Sequence, residues 1–140
     1  EFELYEEPFL LAVSSDHSKA MESIADAEAL EGENVLLLED GHCLRDQALS
    51  ICQANGGVES SGFSAASLET LRGLVAAGLG VTLMPALAVQ ASMASTSKVS
   101  YIPLSDRTLS RKVGLCWRKS STRGELLNEF SLSLGKYLNS

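Results

Sequence analysis

The chain has 140 residues, 45% of them hydrophobic and 21% charged, which is enough to bury a core and typical of an ordinary globular domain. Eighteen acidic residues against eleven basic ones give a formal charge of −7, a surface that repels phosphate and argues against this stretch being the part that grips DNA. No apolar run approaches the roughly eighteen residues of a bilayer span, and no basic segment leads into an apolar export signal, so a cytoplasmic protein without membrane contact is expected.

In chain order, Phe9-Leu10-Leu11-Ala12-Val13 is a short apolar run stopped by Ser14-Ser15-Asp16 and reads as a buried strand. A helix is expected from about Lys19 to Leu30, punctuated by Gly32. Val35 to Leu38 is a second buried strand, ended by the polar turn Glu39-Asp40-Gly41. Leu44 to Ala54 has amphipathic helical spacing and closes at Asn55-Gly56-Gly57.

Phe63 to Ala66 is expected as a third strand, and Ser67 is placed to cap a helix running through Leu68, Leu71, Leu74 and Val75 to Gly78. Gly80 to Met84 reads as a strand stopped by Pro85, and Ala91 to Ser97 as a surface loop. Val99 to Leu104 and Lys112 to Trp117 read as strands. Leu126 to Leu138 reads as a last helix with an apolar stripe at Leu127, Phe130, Leu134 and Leu138. Strands alternating with helices predict an α/β sandwich on a largely parallel sheet. There is no internal repeat.

The three cysteines are Cys43, Cys52 and Cys116. An odd count without a CxxC pair argues against a secreted disulfide scaffold and against structural zinc, and His17 and His42 are too few to supply a metal set. No cofactor is expected. Cys43 lies where a strand has ended and a helix begins, so unpaired backbone N–H groups and the positive helix end favour a thiolate. His42 and Arg45 can add positive potential, and Asp46 can orient Arg45 or accept a proton. A thiolate is the nucleophile that attacks a peroxide oxygen. On spacing alone, Cys43 reads more readily as a small buried hydrophobe, and Cys116, between Leu115 and Trp117, is read that way.

The string Gly41-His42-Cys43-Leu44-Arg45-Asp46-Gln47, with a second cysteine nine positions on, resembles the redox motif of peroxide-sensing LysR-type transcriptional regulators. The stretch SLETLRGLVAAGLGVTLMPALAV, from Ser67 to Val89, resembles the helix–strand segment of LysR-type effector domains, and YEEPFLLAV and KVGLCWR extend the likeness over nearly the whole chain. The resemblance implies a Rossmann-like effector-binding domain of two subdomains, similar to periplasmic binding proteins. Residues 7–100 would form the second subdomain, and 101–140 would return to an incomplete first one. The DNA-binding domain would lie outside this chain, which begins at Glu1 without a methionine.

The resemblance further implies a sensor rather than an enzyme, with Cys43 as the peroxidatic cysteine, Cys52 as its resolving disulfide partner, and Arg111 as the basic residue that stabilises the thiolate. Arg111 is also readable as a solvated strand-end charge, and His42 as a structural residue. The implied partners are hydrogen peroxide, a second copy in the effector layer, a tetramer in the full regulator, DNA through the other domain, and RNA polymerase. Two other readings stay open at this point. One is a metabolite-responsive LysR-type domain binding a small anion at helix N-termini, and the other is a thiol peroxidase.

Overall fold

The structure is a computed structural model that describes residues 1–91 and 98–140. It divides into two compact units: residues 8–109, and residues 1–7 together with 110–140. The long strand β1 (Phe2–Ser14) contributes to both.

Within residues 8–109, β2 (Asn34–Leu38) pairs in parallel with β3 (Val58–Ala65), Leu38 lying opposite Ala65. A single parallel bridge between Val35 and Val81 joins this pair to the start of β4 (Thr82–Pro85). The Leu36 N–H donates to Val81 O at 2.8 Å, and the Val81 N–H donates to Asn34 O at 2.9 Å. The approach is so close that a Cβ on Gly80 would sit 2.3 Å from Asn34 O, so glycine is required there. β4 then runs antiparallel to β1, which on its other edge takes β5 (Val99–Pro103), also antiparallel. The spatial order is β3, β2, β4, β1, β5.

The unbroken run Val35-Leu36-Leu37-Leu38 has a simple reason: β2 is covered on both faces. Val35 and Leu37 point into a cluster with Ala48 and Cys52 of helix α1 (Cys43–Ala54). Leu36 and Leu38 point the other way, onto Leu71 and Val75 of helix α2 (Leu68–Ala76). The two helices therefore take opposite faces of one strand.

Three expectations need correction. The sheet is mixed rather than largely parallel, because both neighbours of β1 run against it, and hydrophobic periodicity carries no information on strand direction. The helix expected at 19–30 is a set of turns with only a 3-10 turn at Ala27–Leu30. Ala25 is held extended instead, its N–H donating to Pro103 O and its carbonyl accepting from Ser105 N–H, both at 2.9 Å. Its side chain and those of Ala29 and Leu30 are buried, so the apolar spacing that suggested a helix is satisfied by another backbone path.

The third correction is that β3 begins at Val58, well before Phe63, since Glu59 and Ser60 mask the strand pattern. A short helix α3 (Ala86–Ala91) follows Pro85 directly, and residues 92–97 of the expected loop lie outside the described residues.

In the second unit, β6 (Ser110–Leu115) pairs with β1, and α4 (Gly124–Leu138) follows. The Asn139 side chain donates to Leu4 O at 2.8 Å, and the Ser131 hydroxyl, buried on the inner face, donates to Leu127 O. The apolar stripe of α4 is only partly covered: Leu127 and Leu134 are half-buried, whereas Phe130 and Leu138 remain 54% and 43% exposed. Among the described residues, no helix is long and apolar enough to cross a membrane.

Candidate redox site on helix α1

Between the end of β2 at Leu38 and the start of α1 the chain turns through Gly41, whose φ of 92° favours glycine. His42 is the N-cap of α1, with an extended backbone and no side-chain capping bond, and Cys43 is the first helical residue. Cys43 is exposed. Its thiol therefore meets solvent at the positive end of a helix whose opening N–H groups carry no side-chain cap, a place that favours an anion.

Cys52 is the opposite case. It is 2% exposed, packed with Val35, Leu37 and Ala48, and burial pushes its thiol up to about 11. The chain leaving α1 closes over it: the Asn55 and Gly57 N–H groups both donate to Cys52 O, and a Cβ on Gly57 would lie 3.0 Å from Val35 Cγ2 and 3.3 Å from Cys52 Cβ. Both thiols are free. Nine residues of continuous helix separate them by about 13.5 Å of rise and half a turn. They lie on opposite faces, whereas a disulfide needs Cα atoms within roughly 7 Å.

Arg45, in the first turn of the helix, has its guanidinium drawn back toward the strands. It donates to Leu38 O at 3.0 Å, and it pairs with Asp40 at 2.9 Å and with Glu59 of β3 at 2.5 Å. The hydrogen bond to Glu59, before the Coulombic attraction of Glu59 and Asp40, raises its pKa further, and Asp46 contributes least among the carboxylates. Asp40 and Glu59 therefore orient Arg45, with Asp46 adding a weaker attraction. His42 and Asp46 are both exposed on this first turn.

Arg111 belongs to the other unit, where its Nε donates to Glu7 Oε2 at 2.7 Å, the Glu7 side chain being 1% exposed. Cys116 is exposed and lies past the end of β6, against the expectation of a buried strand residue.

The structure thus gathers His42, Cys43, Arg45 and Asp46 on one helical turn, puts Cys52 beneath the far end of the same helix, and gives Arg111 a partner of its own. Sequence reasoning missed Asp40, Glu59 and Glu7. Only Glu7 carried a signal, as a charge in step with the buried Phe9, Leu11 and Val13 of β1. An open cleft of about 520 Å³ beside Arg45 is lined by Glu39, Asp40 and Glu59 as well as Ser60 and Phe63, a balance of charge unsuited to a small anion.

Comparison with known proteins gives the family. The family model of the LysR substrate binding domain matches residues 2–138. The DNA-binding transcriptional dual regulator OxyR of Escherichia coli K12 is 46% identical over 121 residues, covering 86% of this chain and 39% of that protein. The hydrogen peroxide-inducible genes activator of Haemophilus influenzae is also 46% identical over 121 residues, covering 86% of this chain and 40% of that protein.

Crystal structures of the reduced and the oxidized form of OxyR both superpose with a TM-score of 0.81, at 38% and 40% identity. The matches cover 96% and 99% of this chain and 62% and 65% of theirs. The chain spans about two fifths of the length of the curated relatives it matches. It belongs to the LysR substrate-binding domain family, and within that family its resemblance is to OxyR.

Proposed function

We propose that this chain is the redox-sensing regulatory region of a cytoplasmic, DNA-binding transcriptional regulator that responds to hydrogen peroxide. The observation that carries the reading is the disposition of the two thiols: one exposed at the start of α1, the other buried under the far end of the same helix. The Cys43 thiolate attacks one peroxide oxygen, the O–O bond breaks, and hydroxide leaves as Cys43 becomes a sulfenic acid. Cys52 then attacks that sulfur, and a Cys43–Cys52 disulfide forms with loss of water. In sum, two thiols and one peroxide give one disulfide and two waters.

His42 and Arg45, on the same helical turn as Cys43, contribute positive potential around the first sulfur, and Asp46 takes part in the local proton balance. Because the helix keeps the sulfurs apart, the second step requires α1 to unwind, and the sulfenic acid must persist until it does. The altered fold is the signal. Residues 7–100 serve as the second regulatory subdomain and 101–140 return to the first. The longer regulator supplies the DNA-binding domain, assembles its effector regions as homodimers and the whole as a tetramer, and acts on RNA polymerase. One oxidation per signalling event distinguishes this chemistry from an enzyme's.

Thiol titration before and after substoichiometric hydrogen peroxide tests the proposal. Two thiols are lost per peroxide, and Cys43→Ser abolishes the loss. A chain that keeps all three thiols belongs instead to a metabolite-responsive regulator, and one that sustains peroxide turnover with a reductant is a peroxidase.

A further inference from the structure

Helix α1 carries two charged side chains, Arg45 and Asp46, and only Arg45 is tucked against the sheet, its side chain 13% exposed. Its three attachments all belong to other elements: the last carbonyl of β2 at Leu38, Asp40 in the following turn, and Glu59 on β3. The contacts are unequal. The Asp40 side chain is 97% exposed, and a pair so open to water holds little. Glu59 is 42% exposed and bonds at 2.5 Å, which makes it the stronger charged anchor.

Resting on the function proposed above, we infer that the Arg45–Glu59 pair is a latch that holds the first turn of α1 on β3 and so sets how fast Cys52 reaches oxidised Cys43. Bringing the two sulfurs together displaces the backbone around Arg45 while the guanidinium is pinned to strands that stay in place. The pair must therefore part before the helix can rearrange. Glu59 touches neither thiol in this arrangement of contacts, so it is a positioning residue. As a latch, it acts on the second step.

The test is Glu59→Gln in the full chain, which keeps the shape of the side chain and removes its charge. Glu33→Gln serves as the control, since it breaks the His17–Glu33 pair at 3.1 Å in the same unit without touching α1. Sulfenic acid formation at Cys43, trapped with a dimedone probe, is followed separately in both variants, so that the rate of the second step is taken from the sulfenic acid onward. Disulfide formation should be roughly fivefold faster in Glu59→Gln alone, the factor set by an ion pair of this exposure. Amide exchange at residues 47–51 of the reduced chain should rise by a similar factor.

Unchanged disulfide kinetics in Glu59→Gln, or equal acceleration in Glu33→Gln, overturns the latch and leaves the proposed function standing. Failure of the unaltered chain to form any Cys43–Cys52 disulfide overturns the proposed function and the latch with it.

Discussion

Helices α1 and α2 pack on opposite faces of β2, yet they are secured by different means. The nine-residue α2 is capped at its start, where Ser67 Oγ accepts the Thr70 N–H at 3.2 Å, and it buries Leu71 and Val75 almost completely. Arg72 binds it further to Tyr101 OH at 3.1 Å and to the Ala88 carbonyl. The twelve-residue α1 has no side-chain cap, and its fully buried residues are the small Ala48 and Cys52. Each fully buried Leu or Val contributes about 1.5–3 kcal/mol, and an alanine far less. The longer helix thus buries no large side chain completely, and it is the one that carries both thiols of the proposed switch.

This contrast can be broken by mutation. The largest expected effect is Leu71→Ala, which should cost about 2–5 kcal/mol in urea denaturation of the reduced chain, because a side chain 2% exposed leaves a cavity. Ala48→Gly on α1 should cost only about 1 kcal/mol. Equal losses at the two sites would remove the asymmetry.

Next in size, Ser67→Ala should destabilise by about 1 kcal/mol through loss of the bond to Thr70, whereas His42→Ala should stay within about 0.5 kcal/mol because no cap bond is present to lose. A cost at His42 as large as that at Ser67 would show that α1 is capped in solution.

The smallest effect near neutral pH comes from Cys52. Its thiol is raised by burial from the ordinary 9.0 to about 11, so the folded chain binds that proton more tightly than the unfolded one. The resulting stability is complete below pH 9 and is lost as pH rises from about 9 to about 11. Denaturation midpoints measured across that window should fall in the unaltered chain and fall less in Cys52→Ala. Parallel curves would mean that Cys52 is not buried in the reduced state.

Much of this was legible in the residues alone. The run 35–38 announced a doubly covered strand, Ser67 announced its cap, and the spacing of Leu44, Ala48 and Ile51 announced α1. The redox motif placed the two thiols nine residues apart, and helical periodicity then set them on opposite faces. What was hidden depended on the third dimension. Glu59 lies in a Ser-rich stretch with no local mark, and only the parallel pairing of β3 with β2 brings it to Arg45.

The antiparallel direction of β4 and β5 against β1 was equally invisible, since alternation is the same in either direction. The false helix at 19–30 arose because turns and a strand bridge bury Ala25, Ala29 and Leu30 as well as a helix would.

In the proposed switch, α1 must give way for the thiols to meet while the strand beneath and the helix opposite hold. Hydrogen exchange of the full chain before and after peroxide tests it most directly, read separately over residues 43–57, 34–38 and 68–76. Protection across 43–57 should be lost or redistributed on oxidation, with β2 and α2 unchanged. A Cys43–Cys52 disulfide formed with the protection of α1 intact would contradict it.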